Sequence, residues 1–497
     1  MAKAKNPSRS NAKAANDDRT LIKTHAYIDG AWKPAKGKKT FAVTDPADGS
    51  VIARVPDCGI ADAEDAIRAA KAAFPAWKAL LPKQRADLLK RWYTLIMQNQ
   101  DTLARILSRE NGKPLKEAMG EVAYGASFIE WFAEEARRLY GRTVPPFKAD
   151  ARTIVTREAV GVCAAITPWN FPNAMITRKV GPALAAGCTM ILKPPAETPL
   201  SALALAALAE EAGIPKGVFN VVTTTASKEI GRILSTHPDI AKLSFTGSTE
   251  VGRALMAQCA PSLKRVSLEL GGNAPFIVFD DADLNAAVNS ALQSKFRNSG
   301  QTCVCANRIY VQKGIYDRFT ASLLKAVAKM KTGGAFEDGV SIGPLINQKG
   351  LKKVQDLVAD AKTKGARVVT GGAPDKRGGL FYQPTILTNA KPSMKMASTE
   401  IFGPVAALYP FKDEEDAIRQ ANDTEYGLAA YVCTRDLGRA FRMSERLQYG
   451  IIGINEGIIS SESAPFGGIK QSGFGREGGL EGIEEYTSVK YALFGGL

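Results

Sequence analysis

Residues 161–195, GVCAAITPWNFPNAMITRKVGPALAAGCTMILKPP, decide how the fold is read. An apolar run of strand length, GVCAAI (161–166), gives way to a helical stretch, TRKVGPALAAG (177–187), and then to a second apolar run, CTMILK (188–193). Continuous apolar runs of this length read as strands buried on both faces, and their alternation with helices makes a parallel sheet under helical cover. Outward from this segment the alternation continues through PLSALALAALAEEAG (199–213), VFNVV (218–222), KEIGRILSTH (228–237), AKLSFTGS (241–248), EVGRALMAQ (250–258) and RVSLELGG (265–272). A second α/β block begins near Asn273 and runs to about Tyr486, the break falling in the glycine pair that precedes it. Upstream, residues 60–141 read as a helical lobe, with apolar residues three and four apart in ADAEDAIRAAKAAF and RADLLKRWYTLIMQNQDTLARIL. VTREAV (155–160) and SVKYALFGGL (488–497) fit neither block, and exposed extended segments take partners, so oligomer contacts are expected there.

The chain's 497 residues correspond to about three domains, or two large ones, at ~150 residues each. With 45% hydrophobic and 23% charged residues, 45 Gly and 26 Pro, the composition excludes a collagenous, coiled-coil or wholly disordered chain. No apolar run reaches the ~18 residues of a membrane helix. The opening MAKAKNPSRSNAKAANDDRT lacks a secretory apolar core, and Asp17 and Asp18 argue against a transit peptide, so a disordered basic tail and a cytoplasmic protein are expected. Lys and Arg number 65 against 50 Asp and Glu, a net +15, but the cations are scattered among acids, which favours small anionic ligands over nucleic acid. Seven cysteines without a CxxC suit free thiols in a reducing compartment, and no metal site is spelled out. Only His25 and His237 are present, so carboxylates, thiols and amides must carry any catalysis.

Single motifs leave alternatives open. Gly247 and Gly252 in FTGSTEVG frame a strand-turn-helix able to hold phosphate at a helix N-terminus, or else a simple turn. Lys193 ends an apolar strand, where open α/β folds bind ligands and where solvated lysines are also common. Cys303 in NSGQTCVCANR is an accessible thiol or a packed small residue. Glu269, before a glycine pair, is a desolvated general base or a solvated turn carboxylate. Asn170, close to Pro168 and Pro172, is an oxyanion donor or a turn residue.

Taken together, TPWNFP, KPPAETP, FTGSTEVG, LELGGN, GQTC, EIFGPV and PFGGIKQSGFGRE, in this order, resemble the aldehyde dehydrogenase superfamily over nearly the whole chain. The resemblance implies an α/β fold with a Rossmann-like cofactor domain (21–142 and 162–272), an α/β catalytic domain (273–485) and a small β bridging element (143–161 and 486–497) that builds a homodimer or tetramer. It implies Cys303 as nucleophile, Glu269 as general base and Asn170 as oxyanion donor with the Cys303 N–H. Cofactor contacts implied are Thr167, Trp169, Lys193, Ala196, Gly247, Ser248, Leu270, Glu400 and Phe402. MITRKVG, KFRNSGQTCVC, GIISS and KYALFGGL look like the succinate-semialdehyde dehydrogenase branch, in which residues matching Arg178, Arg297 and Ser460 bind the substrate's distal carboxylate. NAD-preferring members commonly carry Glu three positions after Lys193; Ala196 stands there, so NADP is the expected preference with NAD accepted, although Glu197 lies one position off. Cys305 is close enough in sequence for a reversible disulfide with Cys303, or is simply packed. The expected reaction is oxidation of succinate semialdehyde through a thiohemiacetal and thioester. Glutarate semialdehyde is the alternative substrate, and a non-catalytic dinucleotide-binding scaffold is the alternative of another class.

Overall fold

The computed structural model describes residues 21–497, and the tail expected over residues 1–20 lies outside the described residues. Five of the expected strands, Val162–Ile166, Thr189–Lys193, Phe219–Val221, Ile240–Thr246 and Arg265–Glu269, run parallel in one sheet. Numbered by chain order, they lie 3-2-1-4-5 across it. Order therefore reverses between Val162–Ile166 and Ile240–Thr246, and the crevice outside the carboxyl ends of two such strands is where open α/β sheets bind ligands. Short antiparallel strands extend both edges: Ala26–Ile28 and Ala31–Lys33 on one side, Gly473–Phe474 on the other. Strands of two or three residues carry no period, which is why the sequence did not announce them.

The helical lobe comprises Ile60–Ala79, Pro82–Gln98, Gln100–Asn111 and Leu115–Glu135. It packs Trp77, Trp92, Phe128 and Phe132 against one side of the sheet. The two buried indoles find partners there, Trp77 donating to the Leu184 carbonyl at 3.2 Å and Trp92 to that of Leu205 at 3.1 Å.

A second sheet is ordered Arg367–Thr370, Thr385–Thr388, Val405–Phe411, Ala306–Gln312, Ala274–Val278, Ala429–Cys433, Ile451–Ile454, all parallel except the first. Cys303 lies three residues before Ala306–Gln312, at this sheet's amino edge, so the carboxyl edge of one sheet meets the amino edge of the other. The connection is Leu270–Asn273, where a Cβ on Gly272 would meet the Cys303 carbonyl oxygen. Only glycine permits so close an approach.

The two segments that fitted neither block pair with one another. Thr487–Gly495 runs antiparallel to Ala151–Ala159 from the Thr487/Ala159 pair to the Gly495/Ala151 pair, and Arg142–Val144 adds a third strand. Ile154, Val489, Tyr491 and Phe494 of this sheet are exposed. Among the described residues, no helix is long and apolar enough to cross a membrane.

Candidate active site

Three strand ends of the first sheet deliver residues to the switch-point crevice. Val162–Ile166 leads into Thr167, Pro168, Trp169 and Asn170; Ile240–Thr246 into Gly247 and Ser248; Arg265–Glu269 into Leu270 and Gly271. Ser248 caps the helix Thr249–Cys259, its side chain accepting from the Val251 N–H at 3.4 Å, so that helix points its N-terminus into the crevice. From the second sheet comes the loop carrying Cys303. Its approach is a run of three left-handed residues, Asn298 (φ 50°), Ser299 (φ 56°) and Gly300 (φ 75°), and Phe402, also left-handed at φ 56°, stands edge-on to Trp169 with 5.4 Å between centroids. Backbone strain on non-glycine residues persists only where the surroundings impose it, and it clusters at functional sites.

Two cavities meet at the thiol. One of about 310 Å³ is lined by Trp169, Asn170, Gly247, Ser248, Leu270, Cys303, Glu400 and Phe402. The other, of about 290 Å³, is lined by Arg178, Arg297, Ser460 and Cys303 among others. Among the described residues, Cys303 alone lines both. Asn170 is buried, and its Nδ2 donates to the Gln301 carbonyl at 3.2 Å. An amide nitrogen carries two hydrogens, so a second remains for a ligand.

The charges around the thiol oppose one another. Burial pushes the Cys303 thiol up to about 12, with Arg178 and Arg297 pulling it down and Glu400 and Glu269 adding to the rise. Glu269 is buried, neither carboxylate oxygen has a hydrogen-bond partner, and burial together with Glu477 holds its carboxyl well above the ordinary range. Glu477 is shifted the other way, because Lys179 and Arg178 outweigh its burial. Arg178 places Nε 2.8 Å from Glu477, while its Nη2 has no hydrogen-bond partner. The Arg297 guanidinium lies 5.4 Å from the Phe171 ring centroid, with Nε unpartnered. Glu400 accepts from the Gly272 N–H at 3.3 Å, and burial lifts it to about 7 against the pull of Lys353.

Not every residue singled out in the sequence opens on these cavities. Thr167, Lys193, Ala196 and Glu269 line neither, although all but Ala196 are buried at the same sheet edge. Lys193 donates to the Pro194 carbonyl at 3.2 Å and is pushed down to about 8 by burial. Glu197 turns to Asn347, 3.5 Å away, leaving the three-residue position after Lys193 to the methyl of Ala196. The Cys305 sulfur accepts from Lys295 Nζ at 3.3 Å and faces neither cavity. Sequence reasoning missed Asn347, Lys349 and Lys353 in the first cavity and Lys113, Glu117 and Glu121 in the second. The one local signal was the helix start at Asn347, whose side chain accepts from the Gly350 N–H.

The first cavity fits a dinucleotide. It combines a capped helix N-terminus suited to a pyrophosphate, an aromatic pair suited to a flat ring, and Glu400 suited to ribose hydroxyls. Nearby stand an ammonium that donates to a neighbouring carbonyl, Lys193, and a buried hydroxyl without a partner, Thr167. Fold and site together define a two-sheet α/β protein with a nucleotide-type crevice on one side of a thiol and a cation-lined pouch on the other. The family model described as "Aldehyde dehydrogenase family" matches residues 32–492, and the chain belongs to that family. It is 59% identical over 479 residues to the NADP(+) succinate-semialdehyde dehydrogenase GabD of Escherichia coli K12, covering 96% of this chain and 99% of the relative. It is 58% identical over 480 residues to a glutarate-semialdehyde dehydrogenase of Pseudomonas aeruginosa, covering 97% and 99%. A crystal structure of succinate-semialdehyde dehydrogenase from Burkholderia pseudomallei aligns with a TM-score of 0.95 at 55% identity, covering 96% of this chain and 98% of that one.

Proposed function

We propose that the protein oxidises succinate semialdehyde to succinate, with NADP preferred and NAD accepted. The observation that carries this is the position of Cys303 between a dinucleotide-shaped cavity and one presenting two guanidinium groups. Arg178, Arg297 and Ser460 hold the distal carboxylate by charge-assisted hydrogen bonds, which a neutral aldehyde would leave unmade. The Cys303 thiol releases its proton to solvent as its sulfur adds to the carbonyl carbon, and Asn170 Nδ2 with the Cys303 N–H receives the developing oxyanion. Trp169, Lys193, Ser248, Glu400 and Phe402 would hold the dinucleotide, with Thr167, Gly247, Leu270 and Ala196 shaping its bed. NADP held there would supply the hydride acceptor for oxidation of the thiohemiacetal to a thioester. Glu269 takes the proton from water at its free carboxylate oxygens as the thioester is hydrolysed, releasing succinate and the Cys303 thiol.

Support for NADP comes from Ala196, which puts no carboxylate where a 2'-phosphate would be repelled, and from the buried ammonium of Lys193 at the same sheet edge. The proposed division of labour assigns residues 21–142 and 162–272 to the cofactor, 273–485 to catalysis, and 143–161 with 486–497 to contacts between copies through the exposed apolar residues of the sheet that these two segments build. Seven unpaired cysteines support a reducing, cytoplasmic setting. Glutarate semialdehyde is the second reading, favoured by a relative of nearly equal identity. One methylene in a pocket is worth only about 1–3 kcal/mol.

The test is kcat/KM for succinate semialdehyde, glutarate semialdehyde and butanal with each cofactor. Succinate semialdehyde with NADP should lead, with butanal weaker by about 100-fold or more. Equal turnover of butanal would overturn the carboxylate-binding role, and glutarate semialdehyde in the lead would establish the second reading.

A further inference from the structure

The two oxyanion donors come from different sheets and are 133 residues apart in sequence, Asn170 before the helix Ala174–Ala186 and Cys303 before the strand Ala306–Gln312. Nothing local keeps them in register. The structure supplies a clamp around them, built from Lys113 and Glu117, which lie outside the motifs already described, and from Asn298 at the start of NSGQTCVCANR. Lys113 precedes the helix Leu115–Glu135, and Glu117 and Glu121 follow at four-residue spacing, which stacks them on one face that lines the aldehyde-side cavity. Lys113 Nζ donates to the Asn170 carbonyl at 2.8 Å, forms an ion pair with Glu121, and lies 3.9 Å from the Phe171 ring centroid. Glu117 accepts from the Asn298 N–H at 2.7 Å, pinning the first left-handed residue of the Cys303 loop. The Asn298 side chain closes the circuit: its Nδ2 donates to the Asn170 carbonyl at 2.9 Å and to the Gln301 carbonyl at 3.2 Å.

The Asn170 carbonyl is thus held by donors from two separate elements, while Asn170 Nδ2 and Asn298 Nδ2 both grip Gln301, two residues before the nucleophile. A buried ammonium is costly to desolvate, and ion pairing with Glu121 alone would satisfy a structural role. Lys113 instead extends its third contact to the peptide that aims the oxyanion donor. We propose that Lys113, Glu117 and Asn298 are positioning residues that set the geometry of the oxyanion hole; this rests on the role proposed above for Asn170. They do not touch the reacting atoms, and their effect on rate passes through Asn170.

The experiment is a double-mutant cycle. Asn298→Gly removes the side-chain clamp while leaving a residue that adopts φ near 50° freely, so it preserves the fold. Lys113→Met removes the other donor and fills the space over Phe171. Each is measured alone and combined with Asn170→Ala. Misplacing a preorganised donor typically costs about 10- to 100-fold. The expected result is a kcat loss of that size for both succinate semialdehyde and butanal, with KM changed less than about threefold, and with almost no further loss when either variant is added to Asn170→Ala. Glu117→Gln, which keeps an acceptor for the Asn298 N–H, should lose less than Glu117→Ala. Losses that multiply in an impaired Asn170→Ala enzyme, or a KM rise with kcat intact, would overturn the positioning role and leave the proposed mechanism standing. An Asn170→Ala enzyme with parental kcat would overturn the oxyanion assignment and this inference with it.

Discussion

Replacing Arg297 by Met isolates the recognition of the distal carboxylate. Arg178 is the poorer probe, since its Nε is 2.8 Å from the buried Glu477 and removing it would leave that carboxylate to Lys179 alone. Arg297 is the cleaner one: its guanidinium faces the cavity over Phe171, with Nε unpartnered. A hydrogen bond to a charged group contributes about 1.5–3 kcal/mol, or roughly 10- to 150-fold in kcat/KM. Met preserves the apolar contact with Phe171, so butanal should lose less than about threefold. Initial rates of NADPH formation at varied aldehyde concentration measure both numbers. Equal losses for the two aldehydes would refute the reasoning, because they would mean that Arg297 acts on the adjoining Cys303 loop rather than on the substrate.

Ala196→Glu introduces a carboxylate at the position proposed to adjoin the adenosine ribose and should weaken NADP relative to NAD by about tenfold or more, read as the ratio of kcat/KM values; an unchanged ratio would remove Ala196 from cofactor choice. Glu269→Gln should slow turnover about 10²- to 10⁴-fold while leaving a burst of NADPH equal to the enzyme present, and a missing burst would place its role before hydride transfer. Because the Glu269 carboxyl is held above the ordinary range, it keeps its proton to higher pH, so its basic form and kcat should rise with pH beyond the range in which an ordinary carboxylate titrates. A flat profile from pH 5 upward would contradict that. Peroxide can accept two electrons from Cys303 and Cys305, forming a disulfide and water; Cys305→Ala should then resist inactivation that dithiothreitol reverses, and parental sensitivity would end the idea.

Much of the site was legible because its motifs sit at strand ends. The apolar runs before Thr167, Gly247 and Glu269 mark where strands stop, and parallel strands that stop at one edge put those residues in one crevice. Cys303 stood out by its small-residue surroundings but, like Glu400 and Phe402, took its proposed role from motif resemblance. Lys113, Glu117 and Glu121 were invisible for a physical reason: charges at helical spacing read as a solvated face, yet Lys113 and Glu121 are buried. The bland surroundings of Lys349 and Lys353 hid them in the same way.

By itself, the order of residues determined the alternation of strand and helix and the parallel sheets, because period and turn chemistry are properties of neighbours along the chain, while the candidate reactive groups took their roles from motif resemblance. Tertiary structure alone decided that Cys303 separates two cavities, that Glu269 is left without a partner, and that Lys113 reaches the Asn170 carbonyl. Burial, and with it the energy of every charge near the thiol, depends on which distant segments exclude water together, and no local stretch of sequence carries that information.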